Sequence, residues 1–531
     1  MAETTVGVAA IRLAESYGIR LAFGIPGVHT LGYYRGLANS PIRHVTPRHE
    51  QGAAFMADGV GRTGRGPALC VLTTGPGVTN AATALGEAYS DSSPLLVFSS
   101  VNARRDLGMA RGRLHEVSDQ RAAMAPLVAF NHTLLAAAEL PQVMAHAMAL
   151  MATGRPRPVH IEIPIDLLDE PYRGPLAAQV LPGRAVPAPD AILRAARRLA
   201  EAKRPFIIAG GGAVEAGAAI RALAERLAAP IATTTAGAGI LPDSHPLSLG
   251  VSLASAPTRA LLAKADVVLA VGTELGETDH WTERLPIDGA LIRVDIDLRA
   301  FAGDYPATEA ILADAGPAMA ALATALSDTT AREGTAVRAE IAKAKAERLA
   351  GLAQRRPAHA KLLAALRRAL PADAILVTDM TQLAYSANGG FPCEVPRGLF
   401  HPSGYGTLGF GLPAAIGAKL AAPARATCAI VGDGGIMFTL GELMCAAEEG
   451  LALPIVVYHN DGYGQIRDGL NASGIPEIGV NIAAPDFLDV ARAFRCAGAR
   501  PGNLAEFEAA VRTALAADRP TLIEVRDRIA G

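Results

Sequence analysis

The chain has 531 residues, half of them hydrophobic and 19% charged, with 49 basic residues against 51 acidic ones for a net charge of −2. At about 150 residues per domain this length predicts three or four folded domains, and the even charge excludes the broad basic footprint that nucleic acid or an anionic membrane requires. Five scattered cysteines (Cys70, Cys393, Cys428, Cys445, Cys496) without a Cys-x-x-Cys pair point to neither a disulfide framework nor a zinc site; with no basic leader and no long apolar run, a cytoplasmic protein without a membrane anchor, acting on small molecules, is expected.

In chain order, short apolar runs rich in β-branched residues alternate with alanine-rich helical stretches. The first region carries Gly24-Ile25-Pro26-Gly27-Val28-His29-Thr30, then Arg48-His49-Glu50-Gln51-Gly52, and strands at 68–74, 94–100 and 158–164. The second strand-to-helix turn reads Thr73-Thr74-Gly75-Pro76-Gly77, with Thr79-Asn80 behind it. Glu50 alone would be an ordinary first-turn acid favoured by the helix dipole. A proline-rich stretch at 169–190 has no periodicity and reads as a linker.

The central region, 191–328, contains the runs Pro205–Gly212, Ala265–Thr273 and Leu291–Asp297, with a glycine turn at Gly210-Gly211-Gly212 that lacks a full dinucleotide fingerprint. A charged helical segment at 329–356 leads to a new series of strands and helices over 357–531. Runs apolar at every position fit sheets covered on both faces. The expected class is therefore α/β, with three doubly wound parallel-sheet domains at 1–168, 191–328 and 357–531.

In the last domain a strand ends in Gly432-Asp433-Gly434-Gly435 and leads into a helix expected around Thr439–Glu448. Glycines let the backbone approach a diphosphate, a helix N-terminus favours its charge, and a carboxylate can share Mg²⁺ with phosphate oxygens. The next strand, Leu453–Tyr458, ends in His459-Asn460-Asp461-Gly462, offering further oxygen donors.

Together these blocks resemble the thiamine diphosphate-dependent enzymes, whose signature is Gly-Asp-Gly followed at this spacing by an asparagine; here His459 replaces the first asparagine of the usual pair. The resemblance implies that Asp433, Asn460 and the Gly462 carbonyl hold Mg²⁺ while Gly432, Gly434 and Gly435 approach the diphosphate. It implies that Glu50 pairs with the aminopyrimidine N1′ and promotes formation of the nucleophilic ylide. Leu408, in Gly404–Ala415, would wedge the cofactor into its bent shape. Thr74, Pro76, Asn80, Gln382, Thr407, Tyr463 and Gly464 complete the implied cofactor site. The order of domains is similar to the acetolactate synthase-like branch, which implies a homodimer or dimer of dimers with active sites at the subunit interface.

Departures within that branch set the expected chemistry. Acetolactate synthases carry Phe-Gln-Glu where this chain has Leu114-His115-Glu116, a lysine where it has Ile165, and a tryptophan where it has Gly469. Flavin-binding turns are replaced by Gly250-Val251-Ser252-Leu253 and Gly272–Glu277, which argues against tight FAD binding and oxidase chemistry. Conversely, the segments around His29, His115 and Asn460–Ile466 are similar to the 5-guanidino-2-oxopentanoate decarboxylases. His29 and His115 are the expected proton donors to the carbanion-enamine left by CO2 loss, so that an aldehyde is released. Ligation of two 2-oxo acids is the alternative. A guanidinium substrate would suit a planar carboxylate partner, for which Glu274, Glu277, Asp279 and Asp468 are candidates, none of them singled out.

Overall fold

A computed structural model describes residues 4–530. The alternating pattern gives three six-stranded sheets, each all-parallel and flanked by helices. The chain divides into two compact units, one running up to Pro182 with Tyr405–Ala499 and Ala514–Leu522, the other comprising Gly183–Gly404, Arg500–Thr513 and the residues from Ile523 on.

In the first unit, β1 (Leu21–Gly24), β2 (Arg43–Val45), β3 (Ala68–Leu72), β4 (Leu95–Val101), β5 (Phe130–Thr133) and β6 (Val159–Pro164) lie in the order β2-β1-β3-β4-β6-β5. The register sets Cys70 beside Val97 and Phe98 beside Ile161. Strands β3, β4 and β6 are buried throughout, as helices on both faces require. Phe98, Leu69, Tyr33, Met144 and Ile161 pack in one core, each large side chain contributing about 1.5–3 kcal/mol by leaving water. The chain reverses its direction of winding between β1 and β3, and in open α/β sheets the carboxyl ends of such a pair form a crevice for ligands. The segments leaving those ends carry His29 and Thr73–Gly77.

Helix Glu50–Arg62 crosses helix Gly411–Ala421 at backbone distance. A Cβ on Gly59 would lie 2.1 Å from the Ala414 carbonyl oxygen, and one on Gly417 would lie 1.9 Å from that of Met56. Only glycine permits this approach, which the edge-on rings of Phe55 and Phe410 support from the side.

In the second unit, β7 (Pro205–Ala209), β8 (Ile231–Thr233), β9 (Ser248–Val251), β10 (Val267–Val271), β11 (Ala290–Asp295) and β12 (Glu309–Leu312) lie in the order β12-β11-β10-β7-β8-β9 around Phe206, Leu269 and Ile220. Helix Thr335–Arg355 follows. The third sheet comprises β13 (Ile375–Thr378), β14 (Leu399–Phe400), β15 (Thr427–Gly432), β16 (Pro454–Tyr458), β17 (Ala497–Ala499) and β18 (Thr521–Val525). Within it β15 runs parallel to β16, pairing Gly432 with Tyr458.

One expected element starts late. The helix placed around Thr439–Glu448 begins at Glu442, because Ile436–Phe438 forms a 3-10 turn and the Thr439 hydroxyl donates to the Gly409 carbonyl at 2.9 Å. The α-helix N-terminus therefore does not follow directly on Gly435.

Candidate active site

Three of the expected site residues converge on one turn. Gly75 caps the helix Pro76–Ser90 with φ +66°, and a Cβ there would lie 2.4 Å from the His115 carbonyl oxygen. Thr74, immediately before it, lies 2.9 Å through its Oγ1 from His29 Nδ1. At Gly77 a Cβ would sit 3.5 Å from Glu50 Oε1. The turn after β3 thus brings His29, His115 and Glu50 together at Thr74, Gly75 and Gly77.

Glu50 is the first residue of its helix, whose N-cap His49 accepts the Gln51 N–H through Nδ1. Its Oε2 accepts from Asn80 Nδ2 at 2.9 Å, and the side chain is only half-buried. His115 stands in the left-handed region at φ 60°, a conformation that costs about 1–3 kcal/mol and needs its surroundings to hold it. Asn102 donates to the Leu114 carbonyl, and the Glu116 carboxylate accepts the N–H groups of Arg111 and Arg113. The His29 and His115 rings meet edge-on with centroids 5.2 Å apart. Burial, and then the neighbouring His115, hold the His29 imidazole below its ordinary pKa.

The Asp433 group is built differently. Asp433 leaves β15 only 2% exposed; its Oδ1 accepts the Gly434 N–H and its Oδ2 the Gly462 N–H, both at 3.0 Å. His459 Nε2 lies 3.7 Å from Asp433 Oδ2 and 3.0 Å from Asp461 Oδ1. The Asn460 carbonyl accepts from Arg467 Nη2 at 2.8 Å. Gly462 has φ +132°, and a Cβ there would lie 2.1 Å from the Val480 carbonyl oxygen. Tyr463 precedes the helix that begins at Gly464, and its ring covers Gly434, where a Cβ would meet Cε1 at 2.8 Å.

Leu408 is partly exposed on the loop before helix Gly411–Ala421, flanked by Gly406 and Gly409 in positive-φ conformations. The neighbouring Thr407 hydroxyl is buried with no hydrogen-bond partner. Gln382 belongs to the second unit, at the start of helix Gln382–Gly390.

Two residues tied to these groups were not foreseen. Glu442, 1% exposed, accepts the N–H groups of Arg48 and His49 at 3.0–3.1 Å and so fixes the segment leading into Glu50. Burial pushes its carboxyl up to about 7 against the lowering effect of those N–H groups. Glu87 accepts the Thr407 N–H and is raised well above the ordinary carboxylate range by burial and then by Asp91, with Arg62 opposing. Neither residue stands in a motif; each acquires its role only when distant helices pack.

In the second unit the glycine turn is filled by the chain itself. A Cβ on Gly210 would lie 2.3 Å from the Gly272 carbonyl oxygen, and one on Gly272, at φ +56°, would lie 2.6 Å from the Gly212 carbonyl carbon. All five cysteines are buried free thiols. Among the described residues no helix is long and apolar enough to cross a membrane.

Comparison with known proteins agrees with this layout. The model for the N-terminal TPP binding domain of thiamine pyrophosphate enzymes matches residues 4–123, that for their central domain 192–322, and that for their C-terminal TPP binding domain 379–525. A probable 2-ketoarginine decarboxylase of Pseudomonas aeruginosa is 50% identical to this chain, covering 98% of it and 94% of that protein. The acetolactate synthase isozyme 1 large subunit of Escherichia coli is 32% identical over 97% of the chain and 92% of its own length. A probable acetolactate synthase large subunit of Methanocaldococcus jannaschii is 30% identical over 97% and 91%.

Proposed function

Since the chain belongs to the thiamine pyrophosphate enzymes, we propose that it uses thiamine diphosphate and Mg²⁺ to convert 5-guanidino-2-oxopentanoate to 4-guanidinobutanal and CO2. The observation that carries the substrate is the 50% identity, over nearly the whole chain, to a protein named for that acid, against about 30% for acetolactate synthases. Domains at 1–168, 191–328 and 357–531 joined by linkers at 169–190 and 329–356 are part of the same reading.

The residues present fit the cofactor. Asp433 and Asn460 offer hard oxygen donors, with the Gly462 carbonyl as a third, of the kind Mg²⁺ takes. Thr407 offers a buried hydroxyl that awaits a partner. When bound, thiamine diphosphate supplies the electron sink into which charge flows as CO2 leaves. Asn80 holds Glu50 through Oε2, which leaves Oε1 to keep or pass a proton. His29 and His115, fixed on the same turn, hold the proton destined for the carbon that has lost CO2. Their positions favour release of an aldehyde over addition of a second oxo acid.

A homo-oligomer with active sites between subunits completes the proposal. It is supported by Val28, Leu31 and Leu114, apolar neighbours of the two histidines that are 65%, 56% and 59% exposed in the single chain. A cytoplasmic location is in keeping with five free thiols. The test is to incubate the protein, thiamine diphosphate and Mg²⁺ with 5-guanidino-2-oxopentanoate and, separately, with pyruvate, measuring CO2 and identifying products by mass. Formation of 4-guanidinobutanal with little pyruvate turnover is expected. Acetolactate from pyruvate would restore the carboligase instead.

A further inference from the structure

Beneath the two histidines a chain of polar side chains runs into the first sheet. Thr74, Ser99, Ser100, Gln120, His160 and Glu162 are each no more than 3% exposed. Burying so many polar groups is costly unless each is bonded, and a fully bonded network holds its members in one arrangement. Gln120 is the hub: Oε1 accepts the Gly75 N–H at 2.8 Å, while Nε2 donates to the Ser100 carbonyl at 3.0 Å and to Glu162 Oε2 at 2.9 Å. It therefore pins the backbone on either side of the Thr74–Ser100 contact.

The proton inventory at that contact is restrictive. A threonine hydroxyl has one proton to donate. Thr74 Oγ1 donates its proton to Ser100 Oγ at 3.1 Å, and the Thr74 N–H donates to the same oxygen at 3.2 Å. At 2.9 Å from His29 Nδ1, Thr74 Oγ1 can then only accept. With the Thr74 proton directed to Ser100, hydrogen falls on His29 Nδ1 and, in the neutral ring, the lone pair on Nε2, which this chain of bonds leaves free for substrate.

We propose that the Thr74–Ser100 hydroxyl pair fixes His29 in its Nδ1–H form, so that Nε2 is the nitrogen that exchanges a proton with substrate. Thr74 is thus a positioning residue. In the forward direction the Nε2–H bond of the imidazolium breaks, the proton goes to the carbon that has lost CO2, and the electron pair stays on Nε2. The ring is left neutral, with Nδ1–H still held by Thr74. The proposal rests on the reading of His29 as a proton donor, yet the tautomer is observable without turnover.

The experiment is magic-angle-spinning ¹⁵N NMR of the full-length protein labelled at histidine Nδ1, at a pH where the ring is neutral, with the His29 signal assigned by its loss in His29→Gln. The expected Nδ1 signal is of the protonated type. Ser100→Ala frees the Thr74 proton to turn toward Nδ1 and should shift the signal to the unprotonated type; Thr74→Val should abolish the preference and Thr74→Ser restore it. In parallel, Thr74→Val should lower kcat by about 10–100-fold, a loss of the size seen when the partner behind a metal-bound histidine is removed, and Thr74→Ser should recover it. An unprotonated Nδ1 in the parent protein, or a Ser100→Ala signal identical to the parent's, overturns the proposal. Loss of cofactor affinity in Thr74→Val without a change in the His29 signal overturns it as well. If His29→Gln turns over normally while the NMR behaves as expected, the proton-donor reading of His29 fails and the tautomer assignment stands.

Discussion

The first and second sheets place glycine turns at the same topological position and put them to opposite uses. Each sheet has a switch point where its winding reverses, between β1 and β3 in the first and between β7 and β10 in the second. In the first, the turn Thr73–Gly77 is closed by residues from other segments: His29 on Thr74, His115 over Gly75 and Glu50 beside Gly77. In the second, Gly210–Gly212 and Gly272 close on each other, backbone against backbone, and the buried Arg293 guanidinium donates to the Thr273 carbonyl at 2.9 Å. Glycine at a switch point reports only that something approaches closely. Whether that is a ligand or the chain itself is decided by the facing loop.

The largest effect expected from this contrast falls on Glu50. Glu50→Gln keeps the length and the acceptor for Asn80 but cannot carry the proton, so turnover should drop by about 10²–10⁴-fold while Mg²⁺-dependent cofactor binding persists. Asp433→Ala should do the reverse in a titration, weakening cofactor retention before it affects anything else. Unchanged turnover in the first variant, or unaltered affinity in the second, would dissolve the division of labour between the half-buried acid and the buried one.

Much of this was legible in the sequence, and the parts that were not share a cause. Strand runs such as Ala68–Leu72 and Cys428–Val431 are apolar at every position, a pattern that buried parallel strands impose. Asp433 and Glu50 stand in short motifs readable from neighbouring residues, although their own partners Gly462 and Asn80 lie 29 and 30 residues away. Glu442, Glu87, Ser100 and Gln120 stand in no such motif, and with partners 20 to 394 positions away nothing beside them in the chain marks them. The helix expected from Thr439 starts at Glu442 for a similar reason: the Thr439 hydroxyl is claimed by Gly409, 30 residues earlier.

A smaller effect belongs to Glu442, which anchors the segment entering the Glu50 helix and has no counterpart described at the second switch point. Its carboxyl titrates near 7 in the folded chain against 4.5 for an ordinary glutamate, so the folded state binds the extra proton between those values. Stability is therefore lost as pH rises from about 4.5 to 7, by about 3 kcal/mol in all. Glu442→Gln keeps an oxygen for the Arg48 and His49 N–H groups without the charge. Thermal unfolding should show parent and variant alike at pH 5 and the variant more stable at pH 8; an equal gap at both would rule out Glu442 as the source.

The smallest expected effects come from the glycines themselves, and they separate the two switch points most directly. Gly75→Ala and Gly272→Ala each force a side chain onto a positive φ and against a backbone atom 2.4–2.6 Å away, for about 1–3 kcal/mol of strain. The strain has different outlets. At Gly75 the obstructing atom is the His115 carbonyl oxygen, on a partly exposed loop that can retreat and take the imidazole with it, so turnover should fall more than melting temperature. At Gly272 the obstruction is the Gly212–Ala213 backbone, in a 3-10 turn anchored to the core by the fully buried Ala213, so melting temperature should fall while the protein that remains folded turns over normally. A Gly272→Ala protein with unchanged melting and impaired turnover would place function at the second switch point too, and the contrast between the sheets would fail.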